Sequence, residues 1–163
     1  MQGNYKENNV KQDTSSAWEI FKSPLGWIEV QANATHLLGV WRVEARRADR
    51  GNAITAQAIR ELVSYFADPE TVFTTPCLLR GTAFRQRTWQ ALQRLAAGQR
   101  LSYSQLAREM GRPRSTRAVA NAVAKNPFPI IIPCHRIIRA DGSDSGYVWG
   151  AEAKAWLLHH EAG

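Results

Sequence analysis

The feature that most constrains the fold is an apolar run that a proline ends. Three isoleucines at 130–132 are followed by Pro133, Cys134 and His135. Proline cannot continue a central strand, so this run predicts a buried strand that stops abruptly and presents Cys134. A thiol becomes a strong nucleophile only when it loses its proton, and a nearby base is one ordinary way to arrange that. Because neighbouring residues on a regular strand point to opposite faces, we expect no direct contact between Cys134 and His135.

Charge is distributed unevenly along the chain. Its 163 residues are enough for one domain or two small ones. Through Arg80, nine Lys and Arg side chains balance nine Asp and Glu side chains. From Gly81 onward there are twelve Lys and Arg side chains but only five Asp and Glu side chains, so the net charge of +7 lies in the second half. This asymmetry favours a polyanionic partner, nucleic acid first. The alternative is a basic face that only keeps the protein in solution.

The sequence also predicts where the protein works and what it does not bind. No apolar stretch is long enough to cross a membrane, and the first ten residues lack the apolar core of a signal peptide. We therefore expect a cytoplasmic protein with no membrane partner, in which Cys77 and Cys134 do not form a disulfide. Cys77 is predicted to be a packed or incidental thiol. Because His36, His159 and His160 show no pattern of metal ligands, neither a metal nor a cofactor is expected.

The first part of the chain is predicted to be a small α+β domain at 16–70. Turn signals and strand-forming residues predict three short strands, at 17–21, 27–31 and 37–43. Apolar residues at helical spacing predict an amphipathic helix over 54–66. Residues 1–15 are polar and unpatterned, which indicates a frayed or disordered N-terminus. Nothing in this domain resembles a catalytic site.

A linker at 71–80 leads to a mainly helical second domain at 81–163. Its first helix is capped by Thr82 and has an apolar face that ends at Gly98. Two shorter helices follow, at 102–111 and from 116 to about 125.

A Gly/Pro turn between these two shorter helices predicts a helix-turn-helix. Ser115 is a candidate cap for its second helix, and Asn126 with Pro127 stops it. Four alanines leave the surface of that helix almost bare: Ala118, Ala120, Ala122 and Ala124. Helix propensity alone would explain them, but small side chains would also let the helix enter a narrow groove closely. Since only Asn121 could read a base edge, we expect DNA binding that depends weakly on sequence.

Several motifs in register give the chain a resemblance to a known family. They are Ser102-Tyr103-Ser104-Gln105-Leu106-Ala107, Arg117-Ala118-Val119, Asn126-Pro127, Pro133-Cys134-His135-Arg136, Gly146-Tyr147 and Lys154-Ala155-Trp156-Leu157-Leu158. With these motifs the chain resembles the O6-alkylguanine-DNA alkyltransferases, also called methylated-DNA–protein-cysteine methyltransferases. The match is specific over 81–161 and loose over 17–75. It implies an α+β fold: a small N-terminal domain with a short antiparallel sheet, then a mainly helical domain with a winged-helix-like helix-turn-helix.

The resemblance implies a chemical role for each of five residues. Cys134 would take an alkyl group from the O6 oxygen of a guanine flipped out of double-stranded DNA, and each chain would act once. His135 would receive the thiol proton through a water, and Glu161 would orient that imidazole. Tyr103 would donate a hydrogen bond or proton to the departing guanine, and Asn126 would tie the helix end to the turn that holds Cys134. Without the resemblance, the last three would be a solvated carboxylate, a half-buried tyrosine and a helix stop.

The resemblance also implies how DNA and the damaged base are held. Arg117 would fill the gap that the flipped base leaves; the alternative for an exposed arginine is a contact with phosphate. The other predicted DNA contacts are Arg114, Ser115, Ala118, Asn121, Ala122 and Lys125. The base pocket is predicted to be lined by Pro129, Tyr147, Val148 and Trp149. Large residues at 148 and 149 predict a preference for methyl over benzyl adducts, and Arg136 is expected to have a structural or charge-pairing role.

Three other functions compete with a monomeric alkyltransferase. The first is an alkyltransferase-like sensor that binds damaged DNA without repairing it, a class that lacks the reactive cysteine which Cys134 supplies here. The second is a helix-turn-helix regulator, against which the alanine-rich helix and the Cys-His turn both argue. The third is a thiol hydrolase, but the sequence has no glycine-rich nucleophile elbow. Activity on O4-alkylthymine, the range of alkyl sizes and cooperativity on DNA stay open.

Overall fold

The first part of the chain forms a three-stranded antiparallel sheet with one helix packed on it. The computed structural model describes residues 16–143 and 146–163, so the frayed segment predicted at 1–15 lies outside the described residues. The elements are β1 (Ala17–Ser23), β2 (Gly26–Ala32), β3 (Leu37–Val43) and α1 (Ala53–Ala67). The sheet order is β1-β2-β3, with Val30 opposite Glu19 in β1 and Val40 in β3. These four predicted elements are confirmed, each within two residues of its predicted ends.

α1 is fixed at its start by a capping box and along its length by a buried face. The Asn52 side chain accepts from the backbone N–H of Ile54 and Thr55, and the Thr55 hydroxyl accepts from the backbone N–H of Asn52. Further along, Leu62 and Tyr65 have no exposed surface. The helix therefore directs the Tyr65 side chain into the protein interior.

The connector at 71–80 is hydrogen-bonded to the edge of the sheet. The backbone N–H of Leu37 donates to the carbonyl of Pro76 at 2.7 Å, and the N–H of Leu78 donates to the carbonyl of Leu37 at 2.9 Å. Cys77 lies between these two contacts and is partly buried, as a packed thiol would be.

The second part of the chain is mainly helical. Its elements are α2 (Ala83–Leu92), β4 (Leu101–Ser102), α3 (Tyr103–Glu109), α4 (Thr116–Ala124), a 3₁₀ turn (Cys134–Arg136), β5 (Ile137–Ile138) and α5 (Ala151–Ala162). β4 and β5 pair in parallel, with Leu101 opposite Ile137. A small antiparallel sheet and five helices over 16–143 and 146–163 confirm the mixed α+β class. Over the same residues, no helix has the length and apolarity needed to cross a bilayer.

The helices of the second part begin and end slightly differently from prediction. α2 ends at Leu92, before the predicted stop at Gly98. Ser102 caps α3 through a capping box with Gln105. Ser115 precedes α4 but makes no capping hydrogen bond, so the prediction of a Ser115 cap is wrong. Its φ of −105° and ψ of 24° differ from the extended backbone that lets a capping side chain reach back to the helix.

The strand predicted at 130–132 is also wrong. These isoleucines form a buried turn in which Ile130 has a φ of +75°, and Pro129 pairs with Ile132 across it. The nearby prolines at 127, 129 and 133 explain the difference, because each lacks the N–H that a sheet ladder needs. A run of three apolar residues does not by itself distinguish a buried strand from a buried turn.

The two parts of the chain are in contact along β3, α1 and α5. The Val40 backbone N–H donates to the carbonyl of Pro127 at 3.0 Å. The Arg42 guanidinium donates to the carbonyl of Trp149 at 2.8 Å. The rings of Phe66 and Trp156 lie 5.7 Å apart. Residues of the first part therefore lie directly against the segments that carry the predicted site.

Candidate active site

Cys134 is the first residue of the short 3₁₀ turn that follows Pro133 and precedes β5. It is 6% exposed. Its backbone N–H donates to the carbonyl of Ile132 at 2.8 Å. The thiol is therefore placed by a proline-bounded turn and not by a strand.

Asn126 connects the end of α4 to this turn. Its side-chain N–H donates to the carbonyl of Ile132 at 2.8 Å, and its side-chain oxygen accepts from the backbone N–H of Phe128 at 2.9 Å. Asn126 is buried and also hydrogen-bonds to the Cys134 sulfur. One amide therefore ties the helix end, the turn and the thiol together.

Burial sets the resting state of the thiol. It raises the pKa of Cys134 to about 11, although the Asn126 hydrogen bond and the positive charge of Lys154 act in the opposite direction. The thiol therefore keeps its proton at neutral pH, and a base must remove that proton before the sulfur can attack.

His135 is the base that the geometry offers. Its side chain has no exposed surface, and its Nε2 lies 2.6 Å from Oε1 of Glu161. Burial lowers the pKa of His135, although the hydrogen bond and charge of Glu161 act to raise it. The imidazole is therefore neutral at pH 7, with Nε2–H directed to Glu161. Its Nδ1 is buried and, in the described part of the chain, has no hydrogen-bond partner, so this nitrogen carries the lone pair that could accept a proton.

Glu161 lies at the centre of this group of polar side chains. Its carboxylate is 1% exposed. Oε1 accepts from His135, from the Arg136 guanidinium at 2.8 Å and from the Tyr65 hydroxyl at 2.8 Å, and Oε2 accepts from the backbone N–H of Gly98 at 3.2 Å. Burial alone would raise the pKa of Glu161, but the hydrogen bonds from His135 and Arg136 outweigh it and hold the pKa well below its ordinary value. The carboxylate is thus charged and fully partnered, unlike the solvated helix-end carboxylate that was the alternative.

Tyr103 lies beside the same turn. It is the first residue of α3, directly after Ser102, which pairs with Ile138. Burial raises the pKa of Tyr103, and negative charge on Cys134 would raise it further. Its hydroxyl therefore keeps its proton at neutral pH and is available as a hydrogen-bond donor.

Of the predicted pocket residues, Tyr147 lies beside His135 and Trp149 lies beside Tyr147. The ring of Tyr147 is 6.4 Å from that of His135 and 6.3 Å from that of Trp149, in edge-to-face contacts. Trp149 is 7% exposed and belongs to the hydrophobic core, whereas Val148 is 41% exposed. Pro129 is buried in the turn of 130–132.

The predicted DNA contacts lie on and beside α4. Exposed side chains there are Arg114, Arg117, Ala118, Asn121 and Lys125, and Ser115 is half-buried. Arg114, Arg117 and Asn121 line an open groove together with Phe84 and Arg85, which sequence reasoning did not single out.

Ala122 differs from the other predicted contacts. It is 1% exposed, and its carbonyl accepts from the Trp89 indole at 2.8 Å. Ala122 therefore packs α4 against α2 and lies at the floor of the same groove.

Sequence reasoning missed two residues of the first part that reach the site. Arg42 holds the carbonyl of Trp149, and Tyr65 holds the carboxylate of Glu161. Tyr65 occupies the apolar face of α1, so helical periodicity marks it only as a core residue. Among the residues with described positions, no three His, Cys, Asp or Glu side chains are grouped so as to hold a metal ion.

Comparisons with known proteins point to one family. The family model for the 6-O-methylguanine DNA methyltransferase DNA-binding domain matches residues 83–163. The bifunctional transcriptional activator/DNA repair enzyme Ada of Escherichia coli is 49% identical over 106 residues, which are 65% of this chain and 30% of that protein. The methylated-DNA–protein-cysteine methyltransferase of Mycobacterium leprae is 43% identical over 110 residues, which are 68% of this chain and 67% of that protein.

Solved structures extend the likeness over most of the chain. The Mycobacterium tuberculosis protein OGT, solved in complex with DNA, has a TM-score of 0.79 and 34% identity, covering 89% of this chain and 92% of that one. By contrast, this chain spans only about a third of the length of Ada. The likeness to OGT includes the N-terminal sheet, which the family model does not cover.

Proposed function

The chain belongs to the 6-O-methylguanine DNA methyltransferase family, and on that premise we propose that it repairs DNA by moving an alkyl group from O6-alkylguanine to Cys134. The observation that carries this proposal is that the buried Cys134 directly precedes His135, whose imidazole hydrogen-bonds to the charged Glu161 at 2.6 Å. It combines a protected nucleophile, a neutral base and a fixed counter-charge.

The reaction is a single displacement at the alkyl carbon. The Cys134 sulfur forms a bond to that carbon as the bond from carbon to the guanine O6 breaks. The thiol proton passes through a water to His135 Nδ1. The guanine leaves as an anion that Tyr103 stabilises by a hydrogen bond, and it takes a proton from water at its ring nitrogen on release, while the imidazolium returns its proton to the solvent. The products are a thioether on Cys134 and an unmodified guanine. Because a thioether does not return to a thiol under these conditions, each chain acts once.

The surrounding residues each supply one part of the displacement. Glu161 stabilises the imidazolium that forms when His135 takes the proton. Tyr103, protonated at neutral pH, donates to the guanine as negative charge develops on it. Asn126 keeps the thiol in position through the two hydrogen bonds that it makes to its own turn.

The damaged base has to leave the duplex to reach the buried sulfur. We propose that Tyr147, Val148, Trp149 and Pro129 line the pocket that receives it. Because Trp149 is packed against Tyr147, it leaves little room beside the alkyl group.

Methyl adducts should therefore react faster than benzyl adducts. Single-turnover rates on two otherwise identical duplexes measure the preference, and Trp149→Gly should reduce it by speeding the benzyl reaction. Equal rates on both duplexes with the unaltered protein would contradict this pocket.

The basic second half supplies the DNA-binding surface. We propose that residues 81–163 form the DNA-binding and alkyl-acceptor domain, that 16–70 form a separate domain, and that α3 and α4 act as a helix-turn-helix in the minor groove. Arg117 would enter the stack as the base leaves, with Arg114, Ser115, Ala118, Asn121 and Lys125 against the backbone. The protein would act as a monomer in the cytoplasm, on chromosomal DNA.

A labelled duplex tests the proposal. After incubation with DNA that carries radiolabelled O6-methylguanine, we expect label on the protein in a one-to-one ratio. Cys134→Ser should abolish transfer while retaining most of the DNA affinity, and Cys77→Ser is the matched control that should transfer normally. DNA binding without label would indicate a damage sensor, and label that Cys134→Ser still accepts would overturn the assignment of the acceptor.

A further inference from the structure

Glu161 has a third side-chain donor that the proposed reaction does not use. The Tyr65 hydroxyl, from α1 in the first part of the chain, donates to Oε1 of Glu161 at 2.8 Å. His135 Nε2 contacts the same oxygen at 2.6 Å. One carboxylate oxygen therefore serves both the base and a tyrosine from the N-terminal sheet-and-helix unit.

Tyr65 is held in this position by packing and by its backbone. Its side chain has no exposed surface, and its ring lies 5.9 Å from Phe73 and 5.4 Å from His160. The carbonyl of Tyr65 accepts from His160 Nε2 at 2.8 Å. Both ends of Tyr65 thus contact consecutive residues of α5, so the direction of its hydroxyl is set by the junction between the two parts of the chain.

We propose that Tyr65 is a positioning residue that shares Glu161 Oε1 with His135 and thereby limits how strongly Glu161 draws a proton onto His135. This inference rests on the proposed function, since it gives Tyr65 a part in that proton transfer. A hydrogen bond to a carboxylate withdraws negative charge from it, so the Tyr65 hydroxyl weakens the attraction of Glu161 for an imidazolium. Tyr65 itself stays a donor, because burial and the charge of Glu161 raise the pKa of its hydroxyl far above neutrality.

Other charged and titratable groups also act on His135, and the Arg136 guanidinium donates to the same Glu161 oxygen at 2.8 Å. From α5, His135 is faced by Lys154 as well as Glu161, from its own turn by Arg136 and Cys134, and from the loop before α5 by Tyr147. Lys154 and Arg136 lower the pKa of His135 through their positive charge, and both lie in the same half of the chain as His135. Tyr65 connects the first half of the chain to the proton acceptor through Glu161, since both side chains hydrogen-bond to the same carboxylate oxygen.

Tyr65→Phe removes the hydroxyl and keeps the ring. In the free protein, an NMR titration of labelled histidine should show the pKa of His135 raised by about half a unit to one unit, since His135 no longer shares Oε1. His135→Gln assigns the resonance among the four histidines. The acid limb of the single-turnover rate should move to higher pH by the same amount.

Two further variants separate this role from packing. Phe73→Leu disturbs the ring beside Tyr65 but leaves its hydroxyl in place, so it should lower stability without moving the pKa of His135. Replacing Tyr65 with 3-fluorotyrosine makes the hydroxyl a stronger donor in an almost unchanged shape, so the pKa of His135 should fall. This second substitution keeps the test open if Tyr65→Phe does not fold.

The outcomes are distinguishable from those of the proposed function. Opposite shifts with phenylalanine and fluorotyrosine would support the inference, even if no alkyl transfer were found. A pKa of His135 that stays constant within about 0.2 unit in both variants would overturn it, even if transfer proceeds normally. An equal shift in Phe73→Leu would also overturn it, because packing would then be the cause.

Discussion

At the scale of single residues, the site keeps the Cys134 thiol protonated at rest and provides a separate group, the His135 imidazole, that could remove its proton. Cys134 is buried and protonated at rest, with its pKa raised to about 11, whereas His135 is buried and neutral. A thiol with that pKa holds its proton through the physiological range and, in the proposed reaction, attacks only after His135 takes that proton. Such a thiol is protected from adventitious alkylation and oxidation until an alkylated guanine enters the pocket.

This arrangement predicts a particular pH dependence of alkyl transfer. In the unaltered protein the rate should be constant from about pH 7 to 9, because His135 is neutral throughout, and should fall in acid as His135 is protonated. In His135→Gln the rate at pH 7 should be about 100-fold to 10,000-fold lower. It should then rise about tenfold per pH unit up to about pH 10, because only the spontaneous thiolate reacts.

Single-turnover rates on a methylated duplex across this pH range measure both profiles. His159→Gln is the matched control, since it changes an exposed histidine of the same helix as Glu161. If the rate of His135→Gln did not change with pH, whatever its absolute value, His135 would not be the base.

At the scale of elements, the segment 127–136, which contains the turn of 130–132 and the 3₁₀ turn, is constrained by several independent features. Prolines prevent it from joining a sheet, Ile130 adopts a positive φ, and Asn126 closes it with two hydrogen bonds. Positive φ is costly for a β-branched residue and persists only where the surroundings enforce it. Here the enforcing contacts are those of Asn126 and the buried neighbours of Ile130.

Asn126→Ala should therefore destabilise the protein and slow transfer together. Removing the amide leaves the Phe128 N–H buried without a partner and takes away one of the two donors to the Ile132 carbonyl, which keeps the Cys134 N–H. This should cost about 1–3 kcal/mol in the free energy of unfolding. Urea denaturation measures this loss. Asn121→Ala, at an exposed position of the preceding helix, is the control and should change stability by less than about 0.5 kcal/mol. Equal effects of the two substitutions would contradict the role given to Asn126.

The elements also show where sequence reasoning succeeds and fails. Strands β1 to β3 and helix α1 were predictable because alternation, helical spacing and turn residues are local signals. The apolar run at 130–132 was wrongly predicted to be a strand, because its conformation depends on the flanking prolines and on the side-chain amide of Asn126, all of which lie outside the run. Tyr65 and Arg42 carried no local signal, since what makes them important is contact with Glu161 and Trp149, about a hundred positions away along the chain.

At the scale of the whole molecule, the two halves have different tasks that meet at Glu161. The second half carries the net positive charge, the groove beside α4 and Cys134, the proposed acceptor. The first half has no net charge but supports the site through Arg42 and Tyr65. Removing the first half would therefore expose the carboxylate of Glu161 as well as the core of the molecule.

This division of charge predicts how salt affects DNA binding. Affinity should fall as salt rises, and Arg114→Ala should weaken binding and reduce the slope of log affinity against log salt by about 0.9, because Arg114 is proposed to lie against the DNA backbone. Arg60→Ala, an exposed arginine on α1 in the neutral half, should leave both unchanged. Fluorescence anisotropy with an undamaged duplex measures the slopes. An equal loss in both variants would contradict a DNA surface confined to the second half.

The proposal that Cys134 accepts one alkyl group per chain is tested most directly by incubating the protein with an excess of methylated duplex and then locating the methyl group. Peptide mapping by mass spectrometry should find one methyl group per chain, on Cys134, with Cys77 unmodified and no more DNA repaired than there are protein molecules. Repair of several duplexes by one chain, or a repaired duplex beside an unmodified Cys134, would contradict the account.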